Sequence, residues 1–148
     1  MSADITETID VDTDLETTFE YVANWSNLDE WDPTFETARQ LTGGPVRQGT
    51  RFRTVMSAGP ADDVEIIYEV TEHVPPKRLV MKGEADSFTT TDVITFEAID
   101  GGTRVTYDAT VDTEAPDWLD ALGTPLFKLV GKLGAARGLR DQLDDEGP

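Results

Sequence analysis

The run DVITFEAIDGGTRVTYDATV, residues 92–111, alternates apolar and polar side chains on both sides of Gly101-Gly102. Ile94, Phe96 and Ala98 share one face of its first half, and Val105, Tyr107, Ala109 and Val111 one face of its second. Glu97, Arg104, Thr106 and Asp108 take the other side. Alternation of period two is the mark of a half-buried strand, and glycines between two such runs mark a hairpin. The same period extends back to Phe35. Its apolar series are Phe52, Thr54, Met56, then Val64, Ile66, Tyr68, Val70, then Leu79, Met81, Gly83, separated by Gly43-Gly44-Pro45, Gly59-Pro60 and Pro75-Pro76. Arg51, Arg53, Glu65, Glu69, Lys82 and Glu84 face the opposite way, as in an antiparallel sheet with one solvated side.

Upstream, Ile5, Glu7, Ile9 and Val11 alternate with Thr6, Thr8 and Asp10, which predicts a first strand. A helix follows, with Thr13 or Asp14 as its cap, Glu16 near its N-terminus, and Leu15, Phe19, Val22 and Ala23 at helical spacing. Ser26 can cap a second, very short helix that Pro33 ends. Downstream, Leu122, Leu126, Leu129, Val130 and Leu133 form one stripe of a final helix, which Gly123 and Pro125 break or kink near its start, with Thr124 as a cap before Pro at the first helical position. Gly131, Gly134 and Gly138 lie on the flank of that stripe near Phe127, leaving room for close packing or for a ligand. The predicted order is strand, two helices, roughly six strands, helix: an α+β fold in which a curved antiparallel sheet of about seven strands wraps a long C-terminal helix.

A chain of 148 residues fits one domain, with 144–148 as a frayed acidic tail. No stretch reaches the roughly 20 apolar residues of a membrane span, and the start lacks a basic and apolar export signal. A cytoplasmic location is expected. Without cysteine there is no disulfide or thiolate, and His73 alone builds no multi-histidine metal site, so neither metal nor cofactor is expected. Acidic residues number 30 against 12 basic ones, a formal charge of −18 that repels nucleic acid. The excess of Asp, the scarcity of lysine (Lys77, Lys82, Lys128, Lys132) and the many threonines resemble proteins of halophiles; an acidic protein of an ordinary cytoplasm is the alternative.

Several segments together resemble the polyketide cyclase/dehydrase and lipid-transport branch of the START-like SRPBCC superfamily. They are Val22-Ala23-Asn24-Trp25-Ser26-Asn27-Leu28-Asp29-Glu30-Trp31-Asp32-Pro33, Gly44 to Phe52, Val70 to Leu79, and Thr95-Phe96-Glu97 through Gly102-Thr103-Arg104-Val105-Thr106-Tyr107. The resemblance implies a helix-grip fold whose strands and C-terminal helix enclose a cavity for a lipid, polyketide, quinone or similar apolar molecule. It implies no single reaction, since such proteins include cyclases, dehydratases, carriers and proteins that serve other proteins, and it transfers no catalytic residue.

Strand parity and the expected pocket mouth select the ligand-lining candidates: Trp31, Phe35, Phe52, Met56, Ile66, Tyr68, Met81, Thr90, Asp92, Ile94 and Tyr107, with Leu126 and Val130 from the final helix. No catalytic residue is assigned. Asp92 shares the parity of Thr90, Ile94 and Phe96, and a buried carboxyl there could exchange protons; an exposed or hydrogen-bonded Asp92 at a strand end is the plainer reading. Tyr68 and Tyr107 also face inward, where each hydroxyl could orient a ligand oxygen and each ring could equally be core. His73, before Val74-Pro75-Pro76, reads as a surface loop residue, Trp25 as a brace between the two helices, and Trp118 as the start of the final helical region. Gly44 and Gly49 have P-loop spacing without its lysine, and Asn24-Trp25-Ser26 is a glycosylation sequon without an export signal. Gly134 and Gly138 imply no dimer, and Lys128, Lys132, Arg137 and Arg140 complement the negative end of the last helix.

Three functions follow: a binder or carrier of a small hydrophobic ligand, a cyclase or dehydratase using Asp92, Tyr68 or Tyr107, and a partner-binding module with a collapsed pocket. The charge makes its own prediction. Thermal melts in dilute buffer and in molar KCl should show a midpoint that rises with salt, because added ions screen the self-repulsion of −18; equal midpoints would remove the halophile reading.

Overall fold

A computed structural model describes residues 2–32, 35–57 and 63–113. Seven strands form one antiparallel sheet: β1 (Ser2–Val11), β2 (Phe35–Gln40), β3 (Arg51–Met56), β4 (Val64–Val74), β5 (Arg78–Glu84), β6 (Phe88–Ile99) and β7 (Gly102–Thr113). Their order across the sheet is β1-β7-β6-β5-β4-β3-β2, and the sheet curves into a half-barrel. From β2 to β7 it is a plain meander. The β6–β7 turn is Asp100-Gly101, with Gly101 at a φ of +82°, a conformation that costs glycine nothing; Gly102 already pairs with Ile99.

Strands β1 and β2 lie on opposite edges, so the chain between them must cross the sheet. It does so through α1 (Leu15–Ala23), one tight helical turn (Trp25–Asn27) and α2 (Leu28–Trp31). Asp14 caps α1, accepting from the Thr17 N–H at 3.2 Å. The cap expected from Ser26 falls to Asn24, whose side chain accepts from the Ser26 N–H at 3.3 Å, because the turn begins at Trp25, two residues earlier than a Ser26 cap implies. The start of the crossing is fastened to β7. The Thr103 hydroxyl donates to the Thr13 carbonyl at 2.8 Å, and the Thr18 hydroxyl donates to the Asp14 carbonyl at 2.7 Å.

The inner face buries Phe52, Thr54 and Met56 of β3, Ile66, Tyr68 and Val70 of β4, Leu79 and Met81 of β5, Ile94 and Phe96 of β6, and Val105, Ala109 and Val111 of β7. Phe19, Val22, Trp25, Leu28 and Trp31 of the crossing segments join them in one core. Ala98 is exposed despite its parity, since β6 rises out of the core toward its turn. On the outer face, arginines pair with carboxylates of neighbouring strands: Arg53 with Glu65 at 2.6 Å, Arg104 with Asp10 at 2.9 Å, Arg78 with Glu72 at 3.1 Å and Arg51 with Glu69 at 3.8 Å. Such exposed pairs each contribute less than about 1 kcal/mol. The outer surface organises charge more than it holds the fold.

Two β-bulges break the strict alternation, one at Glu36 in β2 and one at Thr71 in β4. The second overturns the surface-loop reading of His73. An extra residue shifts the phase, so that Glu72 pairs with Val80 and His73 with Leu79, which turns the imidazole inward. There it is half-buried against the Phe19 ring, centroids 5.5 Å apart. The final helix expected from Leu122, Leu126, Leu129, Val130 and Leu133, with its Gly131, Gly134 and Gly138 flank, its basic residues, Trp118 and the tail, lies outside the described residues, as do Pro33 and Gly59-Pro60.

Gly102 marks the tightest backbone approach. A Cβ there would sit 1.8 Å from the Val11 carbonyl oxygen, so Gly102→Ala must move one strand off the other. Chemical denaturation should show a loss of about 3 kcal/mol for Gly102→Ala, whereas Gly43→Ala, with open space around its Cβ, should stay within about 0.5 kcal/mol of wild type.

Candidate functional site on the inner face

Strand register lays the inner face out in rows. One row runs Tyr68, Gly83, Thr90, Val111; the next runs Val70, Met81, Asp92, Ala109. Asp92 is thus set among apolar neighbours and is 2 % exposed. Its carboxyl is held on both sides: the Thr90 hydroxyl donates to Oδ1 at 2.6 Å, and the Tyr107 hydroxyl, reaching diagonally from β7, donates to Oδ2. Gly83 makes the arrangement possible. A Cβ at that position would lie 2.7 Å from Thr90 Cγ2 and 2.8 Å from Tyr68 Cε1, so only a bare Cα lets these side chains close over β5.

Burial pushes the Asp92 carboxyl up to about 6, against the hydrogen bonds from Thr90 and Tyr107, which favour the ionised form. Burial also drives the Tyr68 and Tyr107 phenols well above their ordinary range, reinforced by the nearby Asp92 charge and, more weakly, by Asp32. Both tyrosines are therefore neutral hydroxyls at any ordinary pH. Asp32, at the end of α2, is itself buried. His73, its pKa lowered by burial, sits apart against Phe19.

Trp25 does more than brace the two helices. Its ring lies edge-on to Tyr68 at 5.5 Å, stacks over Tyr107 at 6.4 Å and meets Trp31 edge-on at 5.9 Å, so it covers the tyrosines as well as joining the helical segments. No periodicity signals this, because Trp25 reaches the sheet only through the edge-to-edge crossing. Among the described residues, neither the Trp25 nor the Trp31 indole N–H has a hydrogen-bond partner, although both are buried. Tyr68, too, has no hydrogen bond from its hydroxyl among the described residues.

Of the sequence candidates, Tyr68, Thr90, Asp92 and Tyr107 come together with Trp31 through Trp25. Phe35, Phe52, Met56, Ile66, Met81 and Ile94 lie in the same core, and Trp31 and Phe35 are buried within it instead of standing open at a mouth. Leu126 and Val130 lie outside the described residues. A groove of about 230 Å³ lies elsewhere, on the outer face, lined by Arg51, Ile67, Glu69, Thr71, Lys82 and Glu84. Among the described residues no group of three His, Asp or Glu side chains could hold a metal, and no helix is long and apolar enough to cross a membrane.

A seven-stranded antiparallel half-barrel with this order, crossed by short helices, has the fold of a START-like sheet. The solved structures agree. The chain superposes on the protein TTHA0849 from Thermus thermophilus with a TM-score of 0.79 at 17% identity, over 99% of this chain and 100% of that one. It superposes on a START superfamily protein from Mycobacterium smegmatis with 0.75 at 13% identity, over 97% and 98%. For NE0264 from Nitrosomonas europaea the values are 0.69 and 19%, over 97% and 95%. These likenesses show the fold alone. The family is shown by sequence: the chain belongs to the polyketide cyclase / dehydrase and lipid transport family, whose model matches residues 2–145. No curated protein matches it significantly.

The Asp92 environment predicts a pH signature. Its folded carboxyl, at about 6, holds its proton more tightly than the unfolded one at 3.8, so its contribution to stability is greatest at low pH and is lost as pH rises through 6. Relative to Asp92→Asn, which does not titrate, wild type should lose about 2 kcal/mol between about pH 4.5 and about pH 8. Denaturation of both proteins across that range checks it, and a difference that does not change with pH would contradict the buried, proton-retaining carboxyl.

Proposed function

We propose that the chain binds or carries a small hydrophobic ligand, lipid, polyketide or quinone-like, within a single helix-grip domain spanning residues 1–148. The ligand would lie between the inner face of the sheet and the C-terminal helix, whose Leu126 and Val130 would complete the lining with Phe52, Met56, Ile66 and Met81. The observation that carries this reading is an inner face apolar almost throughout, interrupted by Thr54, whose hydroxyl is satisfied by the Ile66 carbonyl, and by the cluster of Tyr68, Thr90, Asp92 and Tyr107. Apolar walls with a few convergent polar groups are what small-molecule sites are made of. The membership of the family supports the same class of ligand. The acidity supports a cytoplasm of high salt as its setting.

A second reading is favoured by one specific observation. A carboxyl near 6 in contact with a phenol can exchange a proton near neutral pH, as a cyclase or dehydratase acting in the same cavity would require. Native mass spectrometry of freshly purified protein should show a co-purified organic mass. Protein that carries none and takes up none when apolar compounds are offered would overturn the ligand reading. With a substrate in hand, turnover left intact by both Asp92→Asn and Tyr107→Phe would exclude proton transfer by this pair and favour the carrier.

A further inference from the structure

We infer that the Tyr68–Asp92–Tyr107 cluster is the polar end of the ligand site and that it selects a neutral, hydroxyl-bearing ligand over both a bare hydrocarbon and a carboxylate. The inference rests on the ligand-binding reading above.

The cluster is built at a cost to the fold. A carboxyl among Val70, Met81 and Ala109 is less favourable there than an apolar side chain of the same size, and the glycine beneath Tyr68 and Thr90 gives up strand propensity. Its hydrogen bonding is also one-sided. Asp92 is satisfied by Thr90 and Tyr107, yet the buried Trp25 and Trp31 indole N–H groups have no hydrogen-bond partner among the described residues, and no hydrogen bond there engages the Tyr68 hydroxyl. Buried donors left over in this way call for an acceptor that the described residues do not supply, and on the ligand-binding reading the ligand supplies it. The two phenols pack against the same Trp25 indole and are near enough to act on one another electrostatically: Tyr68 offers a donor, and the Tyr107 oxygen, its own proton given to Asp92, offers an acceptor.

A ligand hydroxyl fits both: its oxygen accepts from Tyr68 and its proton is donated to the Tyr107 oxygen. A hydrocarbon leaves both unmet. A carboxylate could accept from Tyr68, but it would bring a negative charge toward the buried carboxyls of Asp92 and Asp32, which already act on both tyrosines. Repulsion in a low-dielectric interior outweighs one added hydrogen bond. Fatty acids and other anionic lipids are therefore disfavoured, and neutral alcohols and phenols favoured.

Displacement of the fluorescent apolar dye N-phenyl-1-naphthylamine by three molecules of one shape tests this at neutral pH. The expected order is 2-naphthol, then 2-methylnaphthalene at about tenfold higher concentration, then 2-naphthoate. Tyr68→Phe, which keeps the ring, should abolish the preference for naphthol and leave methylnaphthalene unchanged. Should that variant fail to fold, the ranking on wild type decides alone. Equal displacement by naphthol and methylnaphthalene, or naphthoate as effective as naphthol, overturns the selectivity while leaving the cavity in place. A protein that binds neither the dye nor any of the three loses the ligand-binding reading as well.

Discussion

Everything about the site depends on one constraint of connectivity: strands adjacent in sequence, β1 and β2, lie at opposite edges of the sheet. The chain between them has to traverse the buried face, and the contacts that start it on its way are unusually close. Val11 presses its carbonyl against Gly102, and Thr103 bonds to Thr13. From that fixed origin α1 runs over β6 and β7 and ends at Asn24, whose cap turns the chain and drops Trp25 onto Tyr68 and Tyr107. A tryptophan that would otherwise be part of a helical hinge becomes the cover of a polar cluster. Position along the crossing, set by residues at its start, decides which strand side chains it meets.

The cluster itself shows what the core gives up for it. In a core otherwise built from Val, Leu, Ile, Met and Phe, every polar atom must find a partner or cost free energy comparable to a lost hydrogen bond. Thr54 meets this within its own strand pair, its hydroxyl donating to the Ile66 carbonyl at 2.9 Å. The group around Asp92 does so only in part: among the described residues the Trp25 and Trp31 indole N–H groups beside it have no partner. At Asp92, fold stability alone would favour an apolar side chain of the same size.

Much of this was legible in the sequence, for reasons that mark where legibility ends. Alternation of period two located the meander from β2 to β7 and the inward series of Phe52, Tyr68, Met81 and Ile94, because burial on one face leaves a strong imprint every second residue. The inward direction of Asp92 and Tyr107 followed from the same parity. The His73 reading failed at the Thr71 bulge, since one inserted residue reverses the phase without any residue type announcing it. The partnership of Asp92 with Tyr107 and the covering role of Trp25 were beyond reach, because register and crossing angle depend on residues far apart in sequence. Gly83 looked like one more member of an apolar series. Only the distances to Tyr68 and Thr90 show that its missing side chain is what the neighbours occupy.

The edge positions of β1 and β2 have a further consequence, for association. Each ends the described sheet with a row of backbone donors and acceptors on its outer side, and such rows template pairing with other chains. β1 carries Asp4, Glu7 and Asp10 along its length, so two copies approaching edge to edge would bring like charges into register. β2 is only six residues long and bulged at Glu36, which gives a partner strand little straight ladder to extend. The first defence is electrostatic and weakens as salt rises; the second is geometric and does not. In concentrated salt, resistance to fibrillar assembly would rest on the kink in β2, and β1 would be the edge at which it begins.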